Sequence, residues 1–338
     1  MSELHRLSEI KVSDLNENST RWDWSSAAPS GNALQIQFMA LAIINVIVAT
    51  SCLLLLISIL RAPNVREQSF NCYILAITFP DFIMSSMCVL TCAMSSYADT
   101  FYSEAMCGFQ SWYLVWSITS NCWMNATIAH EIHKMLRISH FRGRYNPPAR
   151  KRVAKEAMRV YTYAAFLASV ATWNIPGVPF KSGSYRGFVC FPKDYDMASA
   201  LFFWLVFSPA YMLLPMGYVA WSAIDIIWRG MIPPAGCRKT LAIFFSRIVL
   251  IFVVMWLPNF TISFIAVPAL PGVSSPWINW WSCVIAHLQG LVNVIFCATK
   301  PDIKECLLDT ITLGCRKKDG SGLSDDEESQ KPNQNPID

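Results

Sequence analysis

Residues 248–299 read IVLIFVVMWLPNFTISFIAVPALPGVSSPWINWWSCVIAHLQGLVNVIFCAT, and this stretch decides the fold of the chain. It contains no Asp, Glu, Lys or Arg, and it is more than twice as long as the roughly 20 apolar residues that one membrane-spanning helix needs. Pro268, Pro271 and Pro276 mark a turn inside it. The stretch, with the residues just before it, therefore predicts two membrane-spanning helices, at about residues 239–266 and 277–299.

Five further apolar segments precede this stretch, at about residues 38–60, 70–95, 106–136, 158–178 and 198–226. The chain of 338 residues is 54% hydrophobic and only 15% charged, whereas soluble domains carry roughly 25% charged residues. A composition this apolar cannot cover a water-facing surface, which argues against a soluble enzyme. We therefore predict an all-α membrane protein, with a seven-transmembrane helix bundle over residues 37–299.

The Lys and Arg residues of the loops predict the orientation of the bundle. The loops after the first, third and fifth spans carry thirteen of them, and the loops after the other spans carry three. Because cytoplasmic loops are enriched in Lys and Arg, residues 1–36 are predicted to be an extracellular tail and the C-terminus to be cytoplasmic, in a multi-pass protein of the plasma membrane. The basic residues do not form one face, so nucleic acid is not a predicted partner.

Two cysteines are predicted to lie on the extracellular side. Cys107 begins the third span, and Cys190 lies in the long loop between the fourth and fifth spans. Both face an oxidising compartment, so a disulfide is chemically permitted, and it would hold the loop over the helix bundle as a lid. The alternative is two unrelated thiols. Cysteines inside the spans are predicted to be packing residues.

Several motifs resemble G-protein-coupled receptors. On the third span, Cys107-Gly108-Phe109-Gln110 is followed by Trp123 and Ile128-Ala129, and on the seventh, Gln289-Gly290 is followed by Asn293 and Phe296. Both spans are similar to the cyclic-AMP-receptor-like and secretin/adhesion-like branches. Met255-Trp256-Leu257-Pro258 on the sixth span, and Asn71 ten residues before Asp81 on the second, resemble rhodopsin-like receptors instead. The resemblance covers residues 38–312, and the mixture leaves the subfamily open.

Two rhodopsin-like motifs are replaced in this chain. The third span ends in His130-Glu131-Ile132-His133, without the Arg of the usual acidic-Arg-aromatic triplet. Asn293 is followed by Val294 and Ile295, without the expected Pro and Tyr. Glu131 would form a substitute inner lock with Arg247 at the inner end of the sixth span, or the two would be separate solvated groups.

The resemblance also implies an activation switch and an intramembrane polar contact. Pro258 removes a backbone hydrogen bond and bends the sixth helix, and Trp256 beside it would sense a ligand; the alternative is a packing aromatic next to a tolerated proline. Ionisable residues in membrane spans are usually functional. Asp81 would hydrogen-bond to Asn293, bind a cation or be protonated, or it would make a structural polar contact only.

The two ends of the chain carry modification motifs. Asn18 begins an Asn-Ser-Thr glycosylation sequon. Residues 300–313 are amphipathic and predict a short eighth helix along the membrane surface. Cys306 and Cys315 are candidates for palmitoylation. Residues 314–338 are polar and are predicted to form a disordered cytoplasmic tail.

The favoured function is that of a G-protein-coupled receptor, which is not an enzyme. Its predicted partners are an extracellular ligand, a heterotrimeric G protein and the lipid bilayer; no cofactor and no metal are implied. Residues 1–36 are too few for a large ligand-binding ectodomain, which favours a small molecule that enters the bundle. A seven-span transporter or channel is the main alternative. A retinal photoreceptor would need a Lys in the seventh span, where residues 277–299 contain none, and His130 and His133 alone are weak support for a metalloenzyme.

Overall fold

The computed structural model describes residues 32–98, 103–141, 145–173, 181–185, 189–193, 197–233, 237–261 and 276–312. Seven long helices run through these parts of the chain, followed by a short eighth one. They are α1 (Asn32–Arg61), α2 (Ser69–Ala98), α3 (Glu104–His140), α4 (Arg150–Thr172), α5 (Met197–Trp228), α6 (Cys237–Phe260), α7 (Pro276–Cys297) and α8 (Pro301–Ile311). A helical turn, Pro63–Arg66, joins α1 to α2.

Four of these helices are long and apolar enough to cross a membrane by length and composition alone. They comprise α1, α5, residues Ser69–Tyr97 of α2 and residues Trp280–Cys297 of α7. Helix α6 contributes a shorter apolar segment, Ala242–Leu257. Among the described residues, α3 and α4 are the less apolar members, but they pack in the same bundle. The prediction of an all-α membrane protein is confirmed.

Helix α3 is less apolar because it lies at the centre of the bundle. It packs against α2, α4, α5 and α6. Its inward faces therefore bury polar side chains that a lipid-facing helix would not carry, namely Ser111, Ser117, Thr119, Ser120, Asn121, Asn125, Glu131 and His133. Helix α1 has one side that faces lipid, where the apolar side chains Ile36, Met39, Ile43 and Ile47 are exposed.

Helix α5 changes its winding in the middle. It consists of α-helix over Met197–Phe202, π-helical segments Phe203–Phe207 and Pro209–Leu213, and α-helix over Leu214–Trp228. Pro209 and Pro215 cannot donate the usual backbone hydrogen bond. The carbonyl oxygen of Ala210 instead accepts hydrogen bonds from Trp123 Nε1 at 3.0 Å and Tyr163 Oη at 3.1 Å. Side chains of α3 and α4 thus satisfy a polar group in the irregular part of α5.

Two helices extend beyond the apolar spans predicted from the sequence. Helix α4 begins at Arg150, before the span predicted at about 158–178, and its basic first turns have a buried apolar side formed by Val153 and Ala157. Helix α1 begins at Asn32, before the span predicted at about 38–60. The loop before α5 contains a two-stranded antiparallel hairpin, β1 (Lys181–Tyr185) and β2 (Val189–Lys193). The proposed turn around residues 268–275 lies outside the described residues.

Candidate functional site

The hairpin is attached to the start of α3 by two interactions. A disulfide joins Cys107 to Cys190, with 5.2 Å between their Cα atoms, which confirms the predicted bridge. One turn further along α3, the Gln110 Oε1 atom accepts a hydrogen bond from the backbone N–H of Cys190 at 2.9 Å. Both Cys190 and Gln110 are buried. The Cys-x-x-Gln spacing therefore puts the disulfide and the amide on one side of α3, and together they fix β2 against the bundle.

A buried carboxylate connects three helices in the middle of the bundle. Asp81 on α2 accepts hydrogen bonds from Asn121 Nδ2 of α3 at 2.8 Å and from Asn293 Nδ2 of α7 at 3.2 Å. Its side chain is almost completely buried. The structure thus brings Asp81 and Asn293 together and adds Asn121. A carboxylate in this position needs such donors, because an unpaired charge in an apolar interior is costly.

Gly290 lets α7 approach α1 and α2 closely at this level. A Cβ atom at position 290 would lie 2.8 Å from Val48 Cγ1, 3.2 Å from Asp81 Cβ and 3.2 Å from Cys52 Sγ. The 2.8 Å distance to Val48 Cγ1 is shorter than nonbonded contacts between carbon atoms in folded proteins. The sequence Gln289-Gly290-x-x-Asn293 therefore has a physical basis, since Gly290 allows the helix contact that brings Asn293 within reach of Asp81.

Trp256 on α6 contacts α7 through a polar pair. Its Nε1 atom donates a hydrogen bond to Gln289 Oε1, and both side chains are buried. Phe252, one turn earlier on α6, packs its ring against Trp256 at 6.4 Å between centroids. Pro258 lies two residues beyond Trp256, near the end of α6 at Phe260, and its side chain is outside the described part of the structure. Trp256, Gln289 and Asn293 thus link α6, α7 and Asp81.

The end of the bundle that carries α8 has a second polar network, between α3 and α5. His133 Nε2 lies 2.8 Å from Asp225 Oδ2, and Arg229 Nε donates to Asp225 Oδ1 at 2.6 Å. One turn closer to the middle, His130 Nδ1 lies 2.6 Å from the Tyr218 hydroxyl. The two histidines of His130-Glu131-Ile132-His133 therefore both contact α5.

Glu131 has partners other than the one predicted. The Tyr145 hydroxyl, in the segment before α4, donates to Glu131 Oε1 at 2.7 Å, and Lys134 Nζ lies 4.0 Å from the same oxygen. Arg247 is exposed on α6 and forms no ion pair with the described residues. Glu131 and Arg247 form no ion pair in the structure: the buried Glu131 carboxylate bonds to Tyr145, whereas Arg247 is exposed. Burial and the neighbouring Glu131 carboxylate raise the pKa of Tyr145, so the tyrosine stays a neutral donor.

Helix α8 is held by charged and polar contacts at its start. Lys300 Nζ donates to Asp302 Oδ2 at 2.8 Å and to Asn71 Oδ1 at 2.6 Å, and Asn71 Nδ2 donates to Asp302 Oδ2 at 3.2 Å. Burial raises the pKa of Asp302, but the hydrogen bonds from Lys300 and Asn71 and the charge of Lys300 outweigh it, so the net pKa lies below the usual value. These contacts give Asn71 a structural role at the start of α8. The resemblance to rhodopsin-like receptors had singled out Asn71 on the second span without a partner for it.

The modification motifs have different outcomes. Cys306 faces α1, where its thiol donates to the Ser58 carbonyl at 2.6 Å and is buried; palmitoylation would require this thiol to leave its packing site. Asn18 and Cys315 lie outside the described residues. In the described parts of the chain, no group of three or more His, Cys, Asp or Glu side chains is arranged to hold a metal ion.

Sequence reasoning missed Asp225, Tyr145 and Asn121. Asp225 had a usable signal, since it is an acidic residue inside a predicted span and such residues usually have a buried partner. Tyr145 and Asn121 had none, because a tyrosine in a loop and an asparagine in a helix are common, and only the folded bundle brings them to Glu131 and Asp81.

The folded chain is similar to a solved structure. It matches the crystal structure of squid rhodopsin with a TM-score of 0.66, over 93% of this chain and 96% of that chain, at 14% sequence identity. At this identity the likeness establishes the fold. No protein-family model matches the sequence, and no curated protein matches it. Placement in the cyclic-AMP-receptor-like or secretin/adhesion-like branches stays a prediction.

Proposed function

We propose that this multi-pass membrane protein is a G-protein-coupled receptor, which converts the binding of an extracellular small molecule into activation of a heterotrimeric G protein. The observation that carries the proposal is the polar connection between α6 and the bundle centre: Trp256 contacts Gln289, and Asn293 on the same helix contacts Asp81. The connection sits in a rhodopsin-like fold. A ligand near Trp256 would change how α6 packs on α7.

The proposed orientation has the hairpin end outside and the α8 end in the cytoplasm of a plasma-membrane protein. The Lys and Arg distribution between the loops supports it, as does the disulfide between Cys107 and Cys190, which requires an oxidising compartment. The inner ends of α3, α5 and α6 would then form the G-protein site. A ligand biases this site only by its differential affinity for the two packing states of α6.

A tag experiment tests the orientation. An epitope placed before Ser2 is expected to be reached by antibody on intact cells, whereas one placed after Asp338 is expected to be reached only after permeabilisation. Labelling of the C-terminal epitope on intact cells would contradict the orientation. The result does not depend on knowing the ligand.

A signalling experiment tests the function. The receptor would be expressed in cells that report each G-protein class, and basal and ligand-evoked activation would be measured per surface receptor across a small-molecule library. We expect activation in at least one class, and Trp256→Ala to change it at equal surface expression. A ligand-evoked current or uptake without G-protein activation would favour the transporter or channel, for which Asp81 is the main intramembrane acidic group.

A further inference from the structure

The lipid-facing side of α4 carries a groove that the proposed signalling function does not use. Its volume is about 600 Å³, which is within the range of small-molecule sites. The lining side chains are Lys155, Met158, Arg159, Thr162, Tyr163 and Phe166. Met158 and Phe166 are 65% and 62% exposed, so the groove is open to the surroundings of the bundle.

The two ends of the groove differ in chemistry. Lys155 and Arg159 lie one helical turn apart near the start of α4, at the α8 end of the bundle. Phe166 lies about 16 Å further along the helix, at ~1.5 Å per residue. This length matches roughly half of the ~30 Å hydrocarbon core of a bilayer. With Lys155 at the membrane interface, the groove would reach about the bilayer centre at Phe166.

The two cations at the groove have no counter-charge among the described residues. Glu156, the one acidic residue of α4, accepts hydrogen bonds from Arg152 at 2.9 Å and from the Tyr73 hydroxyl at 3.2 Å. Neither Lys155 nor Arg159 forms a salt bridge within the described chain. Two unpaired cations one turn apart are suited to a phosphate, which accepts several charge-assisted hydrogen bonds.

The inner wall of the groove is fixed in position. The Tyr163 hydroxyl donates to the Ala210 carbonyl of α5 at 3.1 Å, and the Trp123 ring packs edge-on against Tyr163 at 5.5 Å between centroids. Tyr163 thus turns its hydroxyl towards α5, and its partly exposed ring lines the groove. With Met158 and Phe166 it offers a surface suited to an acyl chain.

We propose that this groove binds one anionic phospholipid of the leaflet at the α8 end, the cytoplasmic leaflet under the proposed orientation. Lys155 and Arg159 hold the headgroup phosphate, and an acyl chain lies along Met158, Tyr163 and Phe166. The inference rests on the groove and its charges, and it stands whether or not the protein activates G proteins.

The test measures lipid retained by the purified full chain. The protein, in mixed micelles with phosphatidylserine or phosphatidylcholine, would be analysed by native mass spectrometry. We expect phosphatidylserine to be retained preferentially, because its headgroup is net anionic, whereas the choline of phosphatidylcholine neutralises the phosphate charge that Lys155 and Arg159 would bind. Lys155→Gln with Arg159→Gln should lower its retention about tenfold or more, because both charge-assisted donors to the headgroup are lost; each single substitution should lower it by less.

Two further variants distinguish lipid binding in the groove from general attraction to the surface charge of α4. Arg150→Gln with Lys151→Gln removes the same charge from the start of α4 outside the groove, and retention should change less than threefold. Thr162→Trp fills the groove without changing charge and should lower retention of phosphatidylserine tenfold or more. Elution profile and melting temperature would verify that each variant is folded.

Four outcomes would overturn the proposal. Equal losses in the two double variants would mean diffuse interfacial charge, and unchanged retention in Thr162→Trp would mean that the groove holds no chain. Full competition by millimolar inorganic phosphate would mean an anion site without a lipid. Cholesterol binding that displaces phosphatidylserine and survives the Lys155 and Arg159 substitutions would mean a sterol groove.

Discussion

His133 on α3 and Asp225 on α5 are joined by a buried contact of 2.8 Å between Nε2 and Oδ2. Asp225 also accepts from Arg229 at 2.6 Å, so one carboxylate fixes the ends of two helices. His133 lies near the end of α3 on the α8 side of the bundle, so this contact ties α3 to α5.

Removal of this tie should lower stability. Hydrogen bonds to charged groups contribute roughly 1.5–3 kcal/mol, so we expect Asp225→Ala and His133→Ala each to cost about this much, and the double variant little more than either. Thermal unfolding of the purified protein, the two single variants and the double variant would measure these losses of stability as a double-mutant cycle. Lys134→Ala is the matched control, because Lys134 is 40% exposed and lies 4.0 Å from its partner. Additive losses would show that the two side chains are not coupled.

The disulfide should be required for a stable hairpin end. Loss of a native disulfide typically costs 2–5 kcal/mol, so Cys107→Ser and Cys190→Ser should each reduce the amount of folded protein at the cell surface, with the double variant no worse than the singles. Gln110→Leu should have a smaller effect in the same direction, because it removes only the hydrogen bond to the Cys190 backbone. Additive effects of the two serine variants, measured by surface labelling, would exclude a shared bond.

Gly290 should tolerate no side chain. Gly290→Ala would place a methyl group against Val48, Asp81 and Cys52, and overpacking of this kind typically costs 1–3 kcal/mol. Gly217→Ala on α5 is the matched control, since a Cβ there meets nothing within 4 Å. Melting temperatures should fall for Gly290→Ala and stay or rise for Gly217→Ala. Val48→Ala should recover part of the loss in Gly290→Ala; no recovery would place the cause elsewhere.

Under the proposed receptor function, the pair of Trp256 and Gln289 should set signalling efficacy. Trp256→Phe keeps an aromatic ring but removes the indole N–H, and Gln289→Leu removes the acceptor. Both variants should therefore change G-protein activation per surface receptor in the same direction. The double variant should change activation little more than either single variant. Pro258→Ala should also alter the balance of states, because it restores a backbone donor to α6. Activation per surface receptor that matches the unmodified protein in all these variants would leave Trp256 and Pro258 as packing residues.

Asp302 should give α8 a defined pH dependence. Its pKa is lower in the folded protein than in the unfolded chain, so the ionised group stabilises the fold above the unfolded value of about 4, and this contribution is lost as the pH falls through the lower folded value. The melting temperature should therefore differ between the unmodified protein and Asp302→Asn at pH 5–7, and the difference should shrink below about pH 4. Asp309→Asn, on an exposed site of α8, is the control. A difference in melting temperature that persists to the lowest pH would mean that Asp302→Asn acts through packing or hydrogen-bond geometry and not through loss of the carboxylate charge.

The sequence by itself determined which residues form the membrane-spanning bundle. Apolar length is read directly from the chain, because a helix that crosses lipid must satisfy its backbone internally and present apolar side chains along about 20 residues. The same local reasoning put Cys107 and Cys190 on the oxidising side and so permitted a disulfide between them, which the structure contains. It also named a hydrogen bond between Asp81 and Asn293 as one of several alternatives, and the structure contains this hydrogen bond.

Only the tertiary structure decided how the polar side chains are paired and how far helices extend beyond the apolar segments. Glu131 bonds to Tyr145 rather than Arg247, and Cys306 packs on Ser58 rather than facing the membrane surface. Each outcome depends on the rotation of one helix about its axis relative to its neighbours. Hydropathy does not encode this rotation, because it is set by close packing such as that of Gly290 against Val48.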